Sequence, residues 1–327
     1  MAKYTIKRIL LLIPTLFIVC VIVFALLRMV PGSALDQIVY KYSTAGIEID
    51  KEAVAAQLGM DKPAVIQFFS WMGDLLRGDM GESLFQAESV WAIIKRQLPV
   101  SLELGVLTLI LTNLISIPLG LFCAARQDSI SDQAIRTVSV ILMSLPVFWI
   151  GTLVLIYPAK WFGYAPATMY VPFFKAPLQN LSMFIIPSLL GAMTQAGAQI
   201  RMVRTMTLEV MRQDYIRTAW AKGVKEKRVL FRHAFRNALI PIITIIGASV
   251  AGLIGGSVIL ESMFNLPGIG QQLVTALSNR DYPLVQGCCL VFSIFVMLIN
   301  LLVDLCYKWP SQTARLARSP SRLTASG

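Results

Sequence analysis

The chain has 327 residues, 56% hydrophobic and only 14% charged, with a formal net charge of +11 and a mean hydropathy of +0.67. A soluble domain does not leave uncharged runs of about 20 residues, the length that crosses about 30 Å of hydrocarbon as a helix. In a soluble protein the basic surplus would suggest nucleic acid, so where the charge falls decides its meaning.

Six uncharged runs predict transmembrane helices: Ile9–Leu27, Leu104–Ala125, Thr137–Ala159, Ala176–Ile200, Asn237–Leu260 and Pro283–Val303. They lack the alternation of barrel strands, so only helix satisfies their backbone in lipid. With the N-terminus inside, the inner segments (1–8, 126–136, 201–236 and 305–327) hold 19 Lys/Arg against 5 acids. The outer ones (31–98, 158–182 and 261–283) hold 9 against 11. That split is the positive-inside pattern, with both termini cytoplasmic. The basic surplus therefore reports topology, and no nucleic-acid partner is expected. All five cysteines fall within or at the edge of spans, with no zinc-ligand spacing, and are read as buried free thiols.

Met1–Arg8 is a basic lead and Ile9–Leu27 an anchor span, with no small-x-small cleavage site before Pro31. Arg28, at its outer end, can snorkel to the interface or pair with an outer acid. Within the outer segment, Asp50 caps a predicted helix over Ala53–Leu58 that Gly59 stops. Asp61-Lys-Pro63 opens a second helix, with Val65, Phe68, Phe69, Met72, Leu75 and Leu76 on one apolar face and Gly78 at its end. Gly78-Asp-Met-Gly-Glu-Ser83 is a turn, and Val90–Leu98 reads as an interfacial helix carrying Trp91. The apolar face packs on the spans, and the alternative is that the segment also meets a partner outside the membrane.

Leu98-Pro-Val-Ser-Leu-Glu-Leu104 leads into the second span, where Glu103 is an interfacial carboxylate or lines the pathway. In the third span Ser144-Leu-Pro-Val-Phe-Trp149 permits a kink at proline. Trp161, Phe162, Tyr164, Tyr170, Phe173 and Phe174 form an aromatic belt at the membrane interface.

The stretch Arg201–Pro241 holds ten Lys/Arg against Glu209, Asp214 and Glu226, so it must face water. Good helix formers at 219–222 and 229–238, separated by Gly223, predict a basic helix–turn–helix with a left-handed cap at the glycine. In the fifth span Gly247, Gly252, Gly255 and Gly256 present small residues suited to close helix packing or to a sliding pathway wall.

Tyr215-Ile-Arg-Thr-Ala-Trp-Ala-Lys-Gly223, followed by His233-Ala-Phe-Arg-Asn-Ala-Leu-Ile-Pro241, resembles the loop by which ATP-binding-cassette (ABC) importer permeases engage their ATPases. The variant is similar to the dipeptide/oligopeptide/nickel branch. The general pattern has Glu-Ala-Ala where this chain has Arg217-Thr218-Ala219. The elements at 98–104 and 144–149 are also similar to the family. Glu261-Ser-Met-Phe-Asn-Leu-Pro-Gly-Ile-Gly270 and Arg280-Asp-Tyr-Pro-Leu-Val-Gln-Gly287 resemble the branch, while Lys308-Trp-Pro-Ser stands in place of its usual Asp-Pro-Arg.

The resemblance implies an all-α polytopic membrane protein of the type I ABC importer permease fold in a bacterial inner membrane. Its organisation is then an N-terminal anchor and extracytoplasmic segment (1–98), a five-helix core (99–308) with a coupling loop at 201–237, and a disordered tail (309–327). Tyr215, Arg217, Thr218, Ala219, Ala221, Lys222, Gly223 and Glu226 become the expected ATPase-docking residues, and Gly252, Gly255 and Gly256 the packing or pathway residues. The expected function is import of peptides or similar small solutes, such as nickel chelates, glutathione or oligosaccharides.

The expected partners are a second homologous permease, two ABC ATPases, an extracytoplasmic solute-binding protein and membrane lipid. No Gly-x-x-x-x-Gly-Lys-Ser/Thr loop and no catalytic Ser/His/Asp or Cys/His set occurs. No cofactor is therefore expected on this chain, and ATP and Mg would sit on the partner ATPases. The alternatives are an ion-coupled secondary carrier, which needs ionisable groups at mid-membrane that the six spans lack, and a scaffold or membrane enzyme, for which no site is visible.

Overall fold

The structure is a computed structural model that describes residues 2–317, apart from 45, 48–49 and 164–168. Within helices, the side chains of 2–4, 7, 227, 240, 244, 248, 251–256 and 304–317 are not among those described. In chain order the helices are α1 (Ala2–Met29), α2 (Ala34–Thr44), α3 (Lys51–Gln57), α4 (Ala64–Leu76), α5 (Val90–Ala125), α6 (Ile130–Ser144), α7 (Val147–Phe162) and α8 (Pro177–Met211). They continue with α9 (Asp214–Ala221), α10 (Glu226–Arg228), a π-helical segment (Val229–Phe235), α11 (Arg236–Met263), α12 (Ile269–Asn279) and α13 (Tyr282–Ala317). Among the described residues four helices are long and apolar enough to span a membrane, and two bent pairs bring the number to six if each is one span.

The chain forms two compact units. One comprises 1–103 and 257–297, and the other 104–256 and 298–327.

In the first unit the outer helices follow their predicted stops and starts. Asp50 accepts the Glu52 N–H at 3.0 Å and caps α3, and Gly59 and Gly78 end α3 and α4 with positive φ of 63° and 86°. Phe68 of α4 is buried against Cys20 and Phe24 of α1 and Leu290 of α13, with Trp71, Met72 and Leu75 beside it. The predicted apolar face thus packs in part, while Val65, Phe69 and Leu76 stay exposed. Arg28 makes no ion pair with an acid among the described residues: its guanidinium lies over the Phe24 ring, 3.4 Å from the centroid, and donates to the Gln67 side-chain amide oxygen. Asp36 of α2 accepts from Lys51 Nζ at 2.6 Å and from Ser33, which draws its carboxyl down to about 2.

The separate interfacial helix expected at Val90–Leu98 is corrected. These residues are the first turns of α5, which continues unbroken to Ala125. Val90, Ile93 and Ile94 are fully buried against Leu284, Val285 and Cys288 of α13, so packing on protein, not on lipid, holds this end.

In the second unit α6 and α7 pack along α8. The third predicted span is broken by a 92° bend, far more than a kink. Pro146 has no N–H to donate and forces Leu145 into extended backbone (φ −85°, ψ 128°). A second bend, of 50°, falls at Pro241. Close helix approach is set by Gly120 and Gly197, where an added Cβ would overlap Val203 and Met143 respectively.

Cys20, Cys123 and Cys288 are buried free thiols, and Cys289 is half-buried. Of the expected aromatic belt, Trp161, Phe162, Phe173 and Phe174 are exposed, Tyr170 meets Phe184 edge-on, and Tyr164 lies outside the described residues. The tail expected to be disordered from residue 309 falls partly on α13, whose backbone continues helical to Ala317, and otherwise outside the described residues.

Candidate functional site

The basic stretch forms the helix–turn–helix that its composition predicts. Helix α9 lies between the cap residues Gln213 and Lys222, and Gly223 follows with φ 74°. The Gly223 N–H reaches the Trp220 carbonyl at 2.9 Å and the Val224 N–H the Ala219 carbonyl at 3.2 Å. This pair of bonds is the Schellman closure, which needs a left-handed residue after the cap. A Cβ on Gly223 would meet nothing within 4 Å, so the requirement there is conformational and not steric.

Only Ile216 of α9 is fully buried. Tyr215, Arg217, Thr218, Ala221, Lys222 and Glu226 are all exposed and Ala219 partly so, leaving one contiguous element open to a partner. Arg217 and Asp214 stand 3.8 Å apart, both in solvent, a pair worth about 0–1 kcal/mol. Tyr215 Oη accepts from Asn237 Nδ2 at 3.0 Å, which ties α9 to the first turn of α11. Between them the chain winds as π-helix through His233, a rare form concentrated at functional positions.

Gly252, Gly255 and Gly256 lie on α11, and their surroundings fall outside the described residues. At Gly247, on the same helix, a Cβ would overlap the Val303 side chain of α13, so the described part of the stripe does pack closely. Glu103 is half-buried in α5.

Sequence reasoning missed two polar centres. Asp132, fully buried, receives Arg204 Nε at 2.9 Å and Nη2 at 2.7 Å, and Arg136 Nε stands 3.5 Å away. Only the Ser129-x-x-Asp132 cap pattern announced it, and that pattern does not name Arg204. In the first unit Glu261, fully buried, accepts the Gln271 N–H at 3.1 Å, and Ser101 Oγ accepts the Ile269 N–H at 2.8 Å. Two other helices thus satisfy the free N–H groups that open α12. The family-like Glu261–Gly270 element is explained by this cap, since a Cβ on Gly268 would strike both Glu261 and Ser101.

Residues 116–315 match the family described as binding-protein-dependent transport system inner membrane component, and residues 1–105 match the corresponding N-terminal membrane component. A protein of Brucella suis biovar 1 named as a peptide transport system permease is 38% identical over 307 residues, covering 94% of this chain and 97% of the relative. The di/tripeptide transport system permease protein DppB of Pseudomonas aeruginosa is 33% identical over 327 residues, with the same two coverages. The dipeptide transport system permease protein DppB of Escherichia coli K12 is 32% identical over 331 residues, again covering 94% and 97%.

Proposed function

Since the chain belongs to the binding-protein-dependent transport system inner membrane component family, we propose that it carries peptides inward through a pathway shared with a second, homologous permease. It is a multi-pass inner-membrane protein and a transport subunit of an ABC importer, not an enzyme. The peptide assignment draws on the names of its relatives. An extracytoplasmic binding protein would deliver the solute to the outer face. ATP and Mg would be held by two ATPases docked on α9 and Gly223.

The observation that carries this reading is the exposed α9–Gly223 element, fastened at its first turn. Ile216 is buried beneath it, and Asn237 joins it to α11. A push from ATPase closure on its open face would reach α11 through the Tyr215–Asn237 hydrogen bond. Exposed charge at this site is weakly coupled, so shape and backbone conformation carry the docking. No observation favours an ion-coupled carrier.

Purification of the tagged chain from its native membrane should retain two ATPases and a second permease. The reconstituted complex should hydrolyse ATP faster when the loaded binding protein is supplied. A chain that purifies alone, or an ATPase rate indifferent to the binding protein, would overturn the proposal.

A further inference from the structure

Helix α4 is apolar but, at 13 residues, too short to cross a bilayer. Its side chains divide among three edges at about 100° per residue. Phe68, Trp71, Met72 and Leu75 pack on Cys20 and Phe24 of α1 and Leu290 of α13. Val65, Phe69 and Leu76, all exposed, share a second edge within about 40° of arc, with Ile66 beside them. Gln67, Ser70 and Asp74 form the third edge, about 150° round from the second.

Two spans fix the level at which α4 lies. The uncharged run of α1 ends at Leu27, and that of α13 begins at Pro283. Cys20 and Leu290, which both pack on Phe68, each lie seven residues inside their run. On either helix that is about 10 Å below the outer edge of the hydrocarbon, so two rulers agree. The Phe68 ring also meets Phe17 edge-on, at 6.0 Å between centroids, which is deeper still. Gln67, by contrast, accepts from Arg28, the charge that closes the α1 run. The polar edge of α4 therefore points to water. The exposed apolar edge lies across the helix from Gln67 and points into the bilayer. By the charge asymmetry this is the extracytoplasmic side.

We propose that α4 lies along the outer leaflet, with Val65, Phe69 and Leu76 among phospholipid acyl chains and Ser70 and Asp74 at the headgroups. An interfacial amphipathic helix sinks its apolar face about 5–10 Å past the headgroup boundary, which is the depth found here. Lys62 and Arg77 stand at its two ends, where long cationic side chains can reach the lipid phosphates. Phe17, in contact with Phe68, is itself 48% exposed, so the open edge of α4 runs on into the open surface of α1. A soluble partner would have to reach below the headgroups to cover this edge. The inference requires only that α1 and α13 span the bilayer, and so stands apart from the identity of the solute and of the ATPases.

The test uses the assembled transporter in phosphatidylethanolamine/phosphatidylglycerol vesicles. Native cysteines are removed and single nitroxide labels are placed at Val65, Phe69, Ser70 or Asp74. Power-saturation EPR compares collision with oxygen, which concentrates in hydrocarbon, against collision with a water-soluble nickel chelate. Oxygen should dominate several-fold at 65 and 69, with the order reversed at 70 and 74. Nickel access at 65 and 69 equal to that at 70 would put the whole helix in water and overturn the proposal. Low access to both reagents at 65 and 69 would overturn it too, since a second protein chain then covers the edge. Should the labelled variants fail to assemble, the unmodified transporter is irradiated with a phosphatidylcholine that carries a diazirine on its acyl chain. Adducts should then map to Val65, Phe69 or Leu76 as well as to α1, and their absence from α4 would overturn the proposal.

Discussion

Arg204 grips Asp132 through two parallel hydrogen bonds, of 2.9 and 2.7 Å, and so clamps the first turn of α6 to α8. Asp132 is wholly buried, while Arg204 keeps 14% of its side chain exposed. In such a pair, removing one partner strands a buried charge, which costs more than the pair itself contributes.

Asp132→Ala is therefore expected to destabilise the second unit by about 3–5 kcal/mol. Arg204→Met in the same background should recover part of the loss, because the stranded guanidinium is gone. Yield and thermal aggregation midpoint of the detergent-purified protein check this. Additive losses in the double variant would mean the pair is not coupled.

Gly223→Val is expected to leave insertion and accumulation unchanged, because the spans do not depend on the turn. Uptake and transport-stimulated ATP hydrolysis should both fall sharply. The open space around Gly223 assigns the loss to its φ of 74°, which a β-branched residue resists. Gly223→Asn, which tolerates that conformation, should retain more activity than Val. Charge reversal at Lys222 should act weakly. Uptake and ATPase rates in vesicles, normalised to inserted protein, decide the matter, and wild-type rates for Gly223→Val would remove α9 from the coupling role.

Single cysteines at Ala56 and Ala87, both exposed, should react with a membrane-impermeant thiol reagent on intact cells when the native cysteines are removed. One at Thr218, also exposed, should react only after permeabilisation. The reverse pattern would refute the charge-derived orientation.

Gly247→Leu should cost about 1–3 kcal/mol, since its Cβ would already overlap Val303 and the larger side chain must displace α13. Ile243→Leu, on an exposed position of the same helix, should be nearly silent. The amount of assembled complex after gentle solubilisation reads both. Equal yields would place that face of α11 against lipid.

Asp281, 1% exposed, accepts from the Ser83 hydroxyl and from the Leu84 N–H at 3.2 Å, pinning the turn before α5 to the start of α13. Asp281→Ala should loosen this turn and leave α9 unaffected. Protease cleavage near 80–88 in right-side-out preparations should rise several-fold, with ATPase copurification unchanged.

Much of the molecule is written locally. Uncharged runs mark the spans, because a charge in hydrocarbon costs several kcal/mol. Asp50 and Pro63, with Gly59 and Gly78, bracket the outer helices, because caps act within one turn of the residue that supplies them. Gly223 announces its left-handed turn for the same reason. Tertiary structure decided what local chemistry leaves degenerate. Pro146 signals a break in the third span, but its 92° angle was settled by the packing of α6 and α7 on α8. Val90–Leu98 is amphipathic enough to lie on a membrane, and its burial on α13 made it part of α5 instead. Which cation answers Asp132, and that Ser101 helps to cap α12, depends on partners 72 and 168 residues away. A period or a spacing cannot name them, because their meeting follows from how helices pack after each has formed.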